Sequence, residues 1–128
     1  MAWWFEDQST PYTDAVLQAV IDRAAAIVPA IWKLEVVNTL VVAERRKKIT
    51  PEKSAVFVRD LQKLTITVDL EGIDWVFSTV VDQARTYQRS AYDASYLELA
   101  KRRGLPLATR DQPLWKAAQE LGISLFEP

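Results

Sequence analysis

The sequence predicts an α/β domain built on a mainly parallel sheet, and three observations carry that prediction. Segments with helical start signals alternate along the chain with short apolar runs of strand length. The 128 residues amount to about one domain. Apolar residues make up 49% and charged residues 26% of the chain, a balance that folds around its own core without a disulfide or a structural metal.

The elements follow in order. Helices are expected at about 11–26, 30–48, 51–63, 74–88, 91–103 and 112–121. Thr10-Pro11 and Thr50-Pro51 each set a capping hydroxyl before a proline at the first helical position, while Gly104 and Gly122 stand where the last two helices should end. Between the helices, Ala26–Val28, Thr65–Val68, Leu105–Ala108 and Ile123–Phe126 suit buried strands. With three glycines and no repeat or low-complexity tract, residues 1–128 read as one compact unit. In such sheets ligands gather beyond the carboxyl ends of strands, which directs the search to the residues just after Val28, Val68 and Ala108. No apolar run approaches the roughly 18 residues of a membrane span. The apolar start, Met1 to Phe5, lacks basic flanks and meets Glu6 and Asp7 at once, unlike a signal peptide.

Composition also excludes chemistry. The chain has no cysteine, so thiol nucleophiles, zinc ribbons and iron–sulfur clusters are ruled out. It has no histidine either, which removes every His-dependent triad and every imidazole-ligated metal. Carboxylates remain for metal binding or acid–base work. A net charge of −1 argues against tight, indiscriminate nucleic-acid binding.

Three carboxylates stand in unusual surroundings. Glu35 shares its helix face with Ile31, Asn38, Thr39 and Val42, a largely apolar company in which it needs a cation, a proton or hydrogen bonds. A buried Arg or Asn38 would meet that need as well as a ligand would. Asp93 shares a face with Tyr96, Leu97 and Ala100, but Ser90-x-x-Asp93 is also a capping box, which by itself accounts for an acid there. Asp111 follows the run Leu105–Ala108 and precedes a helix, so it reads equally as an N-cap or as a ligand past a strand end. Together they suggest an all-oxygen site suited to Mg²⁺ or Mn²⁺, and hence phosphodiester hydrolysis.

Three segments carry a resemblance: Pro29-x-x-Trp32-x-x-Glu35-Val36-x-Asn38-x-Leu40, then Ala91-Tyr92-Asp93-Ala94-x-Tyr96-Leu97-x-Leu99-Ala100, then Gly104-Leu105-Pro106-Leu107-Ala108-Thr109-x-Asp111. In this order they resemble the PIN-domain family, and within it the VapC-type toxins of bacterial toxin–antitoxin pairs. The resemblance implies a three-layer α/β/α fold and a Mg²⁺- or Mn²⁺-dependent endoribonuclease of the bacterial cytoplasm. It implies Glu35, Asp93 and Asp111 as metal ligands, with Thr109 orienting the last of them or a water and Asn38 in support. Its implied partners are an RNA substrate, a cognate antitoxin with a segment held in an apolar groove, and a second copy in a homodimer, with no membrane; by charge balance, an Arg is the antitoxin residue expected to enter an acidic site.

One departure stands out. The family opens on a central strand ending in an Asp, ahead of the segment seen here as Ala2-Trp3-Trp4, whereas this sequence begins at Met1. The first strand and first acid are therefore expected to be missing, and Glu6 and Asp7 are poor substitutes. That motivates a rival reading, an inactive PIN-like module that keeps only antitoxin binding or dimerisation. Trp3, Trp4 and Phe5 would serve either contact. The basic runs Arg45–Lys48 and Lys101–Arg103 read as phosphate contacts or as solvated helix ends complementing the dipole, with Glu98 pairing to Lys101 and Arg102. Arg85 and Arg89 are comparable candidates for holding phosphate, and Trp32, Trp75 and Trp115 are expected in the core or at an interface.

Overall fold

The computed structural model describes residues 26–109 and 111–126. The expected helix over 11–26, save Ala26, which opens a strand, the aromatic start at Trp3, Trp4 and Phe5, and the acids Glu6 and Asp7 lie outside the described residues. Strand β1 (Ala26–Pro29) leads into helix α1 (Trp32–Arg45), then α2 (Pro51–Leu61) and β2 (Ile66–Asp69). A 3₁₀ turn (Glu71–Trp75) and a π-helical segment (Val76–Val80) run into α3 (Val81–Tyr87), followed by α4 (Ala91–Arg103) and α5 (Gln112–Glu120). Strands β1 and β2 pair in parallel, with Ala26 opposite Ile66 and Pro29 opposite Asp69. No described helix is long and apolar enough to cross a membrane.

Local chemistry explains most boundaries. The Thr50 hydroxyl accepts the Lys53 amide at 3.3 Å and Pro51 occupies the first turn, as expected for α2. Gly104 closes α4 at φ 62°, a left-handed conformation that costs glycine nothing. Helix α1 is shorter than the expected 30–48, because Lys47 turns left-handed at φ 57° and ends the run. The expected helix at 74–88 is three segments rather than one. The Asp69 carboxylate takes the Gly72 amide at 2.9 Å and tightens the first turn. A Cβ on Gly72 would sit 3.1 Å from that carboxylate oxygen, so glycine permits the approach. The last two expected strands are reduced, among the described residues, to one parallel bridge between Leu107 and Leu125.

Two apolar clusters hold the elements. Trp32, Val36 and Leu40 of α1 pack against Phe57, Val58 and Leu61 of α2 and against Val28 and Ile66 of the strands. Leu97 and Ala100 of α4 join Leu107, Leu114, Ala117, Ala118 and Ile123 in the other. Trp32 is thus a core residue, whereas Trp75 and Trp115 are exposed, 45% and 37%, which leaves them only the interface half of that expectation. The segment after β2 also leaves Leu70, Ile73 and Phe77 exposed.

The second basic run is structural. Arg102 donates to buried Glu98 at 2.8 Å and to buried Asp69, and Arg103 reaches Asp69 at 2.9 Å. Lys101 does not pair with Glu98 but donates to the Leu121 carbonyl at 2.7 Å. The network ties the end of β2 to the end of α4, so the residue just after Val68 is an anchor rather than a ligand. The neighbouring guanidinium of Arg102 holds the Asp69 carboxyl below its ordinary value.

Candidate functional site

The site gathers at the N-terminal end of α4. Gln88 ends α3 in a left-handed conformation, φ 52°, and the Arg89 amide returns to the Ala84 carbonyl at 3.0 Å. The chain therefore turns sharply and starts α4 at once, with Ser90 as N-cap. Its hydroxyl accepts the Asp93 amide at 3.0 Å. The capping box is only half made, because the Asp93 carboxylate faces Arg89 at 3.9 Å. Asp93 is both a first-turn helix residue and an acid with a different partner.

Asp111 likewise does two things. Its Oδ2 accepts the Leu114 amide at 3.0 Å, capping α5, and the same oxygen accepts from Arg89 at 3.4 Å. The Thr109 hydroxyl accepts the Asp111 amide at 3.1 Å, which fixes the turn that presents the carboxylate. One guanidinium nitrogen, Nη1 of Arg89, thus faces both Asp93 and Asp111. Burial first, and then the negative charge of Asp111, push the Asp93 carboxyl above its ordinary value, with Arg89 opposing.

Glu35 comes from another part of the chain. The buried stripe of α1 is Trp32, Val36, Leu40 and Ala43, and Glu35 sits half-buried at its edge. Its partner is neither a buried Arg nor Asn38: Oε1 accepts from the Tyr96 hydroxyl at 2.5 Å. Burial and the Glu35 carboxylate push the Tyr96 phenol far upward, which keeps it a donor at every working pH. Asp93 adds to that shift, so Glu35, Tyr96, Asp93, Arg89 and Asp111 form one electrostatic neighbourhood. Asn38 is exposed on α1.

The structure therefore brings all three acids to one region and links them by Tyr96 and Arg89. It does not bring them into one coordination shell: among the described residues no three carboxylates stand close enough to share an ion. Asp93 and Asp111 alone offer the pair of carboxylate oxygens that a hard divalent cation takes, since both already face one cationic nitrogen, at 3.9 and 3.4 Å. Sequence reasoning missed Tyr96 as the partner of Glu35. The available signal was Tyr96 one turn after Asp93, on the same face. The run Arg45–Lys48 is exposed at the far end of α1, about 15 Å along the axis from Glu35.

An α/β domain with acids from three segments gathered at a helix start defines a class, and the comparison with known families gives it a name. The PIN domain family model matches residues 1–120, so the chain belongs to the PIN-domain family, whose members are generally nucleases and often metal-dependent. No curated protein and no solved structure matches the chain.

Proposed function

We propose that the chain is a divalent-metal-dependent endoribonuclease resembling the toxin of a bacterial toxin–antitoxin pair. The observation that supports it best is the approach of Asp93 and Asp111 to one Arg89 nitrogen, with Glu35 of α1 held to α4 by the Tyr96 hydroxyl, one turn beyond Asp93. Asp93 and Asp111 would hold Mg²⁺ or Mn²⁺ directly, and Glu35 directly or through a water. When bound, such an ion supplies a nucleophile near neutral pH and offsets charge on the scissile phosphate. The chain's own residues do the positioning. Tyr96 aims Glu35, Thr109 holds the turn that presents Asp111, and Ser90 fixes the first turn carrying Asp93.

Exposed apolar residues suggest where the proposed partners would bind. Leu34 and Val37, 65% and 52% exposed, lie on the solvent side of α1, turned away from Glu35, a surface that suits the apolar segment of an antitoxin. An antitoxin Arg would suit the acids, as Arg89 already does. Ile73, Trp75 and Phe77 offer apolar area for a second copy.

The test is cleavage of short RNA with Mn²⁺, with an EDTA control and Asp93→Asn. Turnover abolished by EDTA and lowered about a hundredfold or more by Asp93→Asn is expected. Turnover indifferent to Asp93→Asn rejects the site, and absence of turnover in wild type favours a binding module.

A further inference from the structure

Arg89, expected from the sequence as a candidate for holding phosphate, faces the acids instead. Its Nε donates to the Gln88 carbonyl at 3.0 Å, which fastens one edge of the guanidinium to the turn between α3 and α4. The other edge is thereby aimed at the acids: Nη1 stands 3.4 Å from Asp111 Oδ2 and 3.9 Å from Asp93 Oδ2. The side chain is 25% exposed, and its partners 39% and 50%, so water reaches the group without owning it. The contact with Asp111 joins residues 22 positions apart, across two elements, whereas that with Asp93 is an i,i+4 pair.

We propose that Arg89 is a built-in competitor of the divalent ion, a guanidinium that bridges Asp93 and Asp111 in the metal-free protein and must leave them when the ion binds. This rests on the reading of Asp93 and Asp111 as metal ligands. Mg²⁺ or Mn²⁺ binds carboxylate oxygens at about 2.1 Å. An ion so close to those two oxygens would stand within a few ångströms of a fixed positive nitrogen, and like charges at that range repel. The bridge has a benefit in the absence of metal, since it keeps two neighbouring carboxylates from facing each other unscreened. Metal affinity is then set partly by how easily Arg89 lets go. The half-exposed character of both pairs keeps that barrier modest.

Mn²⁺ binding to the full chain, followed by the electron paramagnetic resonance signal of free Mn²⁺, tests this without any activity measurement. Arg89→Gln keeps a polar side chain but removes the charge, and should tighten the Mn²⁺ Kd by about 3- to 10-fold. Arg89→Lys keeps the charge and should stay within about twofold of wild type. Arg85→Gln removes an equal charge from the exposed last turn of α3 and should also stay within about twofold, which separates local displacement from net charge. In wild type, saturating Mg²⁺ should shift the Arg89 Nε–H resonance as the guanidinium is released. A folded Arg89→Gln that binds Mn²⁺ no better than wild type, or more weakly, overturns the competitor reading while leaving the metal site standing. Failure of wild type and all variants to bind Mn²⁺ overturns both readings together. If Arg89→Gln does not fold, an unmoved Nε–H resonance in wild type under saturating Mg²⁺ overturns the proposal by itself.

Discussion

Replacing Arg102 with alanine should cost about 3 kcal/mol of stability, because of what it strands. Arg102 faces Asp69, whose side chain is 1% exposed, and Glu98, 3% exposed, while its contact to Glu71 lies in water, 72% exposed, and counts for little. Breaking a buried pair by removing one partner costs roughly 3–5 kcal/mol. Arg102 is itself 18% exposed, and Asp69 keeps Arg103 and the Gly72 amide, both at 2.9 Å, so the low end applies. Against a total of about 5–15 kcal/mol this is a large fraction, and the melting temperature should fall by about 10 °C. The pH dependence carries the sharper signature. Asp69 titrates below its ordinary 3.8, so its contribution is complete above that pH and is lost as pH falls through the lowered folded value. The gap between wild type and Arg102→Ala should therefore be full at pH 7 and narrow towards pH 3. Urea unfolding at both values, read by circular dichroism, checks it. A gap under about 1 kcal/mol at pH 7, or one that does not change with pH, refutes the claim that buried carboxylates depend on this guanidinium.

Two further outcomes concern the site. Tyr96→Phe removes the donor to Glu35 and should lower Mn²⁺-dependent RNA cleavage about tenfold while costing about 1 kcal/mol in a urea melt; unchanged cleavage would detach Glu35 from the chemistry. Asp93 titrates above its ordinary 3.8, so its charged form is less welcome in the folded chain than in the unfolded one. The stability tied to its neutral form is complete below 3.8 and is lost as pH rises through the raised folded value, so Asp93→Asn should stabilise the metal-free protein at pH 7 and show no gain at pH 3. Thermal melts at the two pH values measure this, and destabilisation at pH 7 would mean that the Arg89 pairing outweighs burial and the charge of Asp111.

The helix caps were legible from single residues, because a cap is a contact between near neighbours: Thr50 to Lys53, Ser90 to Asp93 and Asp111 to Leu114 each span three positions. The candidate acids were legible because a carboxylate among apolar neighbours, or just after an apolar run, is unusual company. Their partners were not. Glu35 and Tyr96 are 61 positions apart and Arg89 and Asp111 are 22 apart, distances over which periodicity says nothing.

The run Lys101-Arg102-Arg103 shows the same division. Sequence alone determined that a helix ends there, because Gly104 follows and cations favour a helix C-terminus. Only the tertiary structure decided that two of those cations face inward to Asp69 and are unavailable to a phosphate, because that pairing spans 33 and 34 positions and forms only when β2 lies beside the end of α4. Residue types and local spacing determine which groups are capable of chemistry. Which of them meet is decided by packing, since the energy of a charge depends on what the folded chain brings within a few ångströms of it.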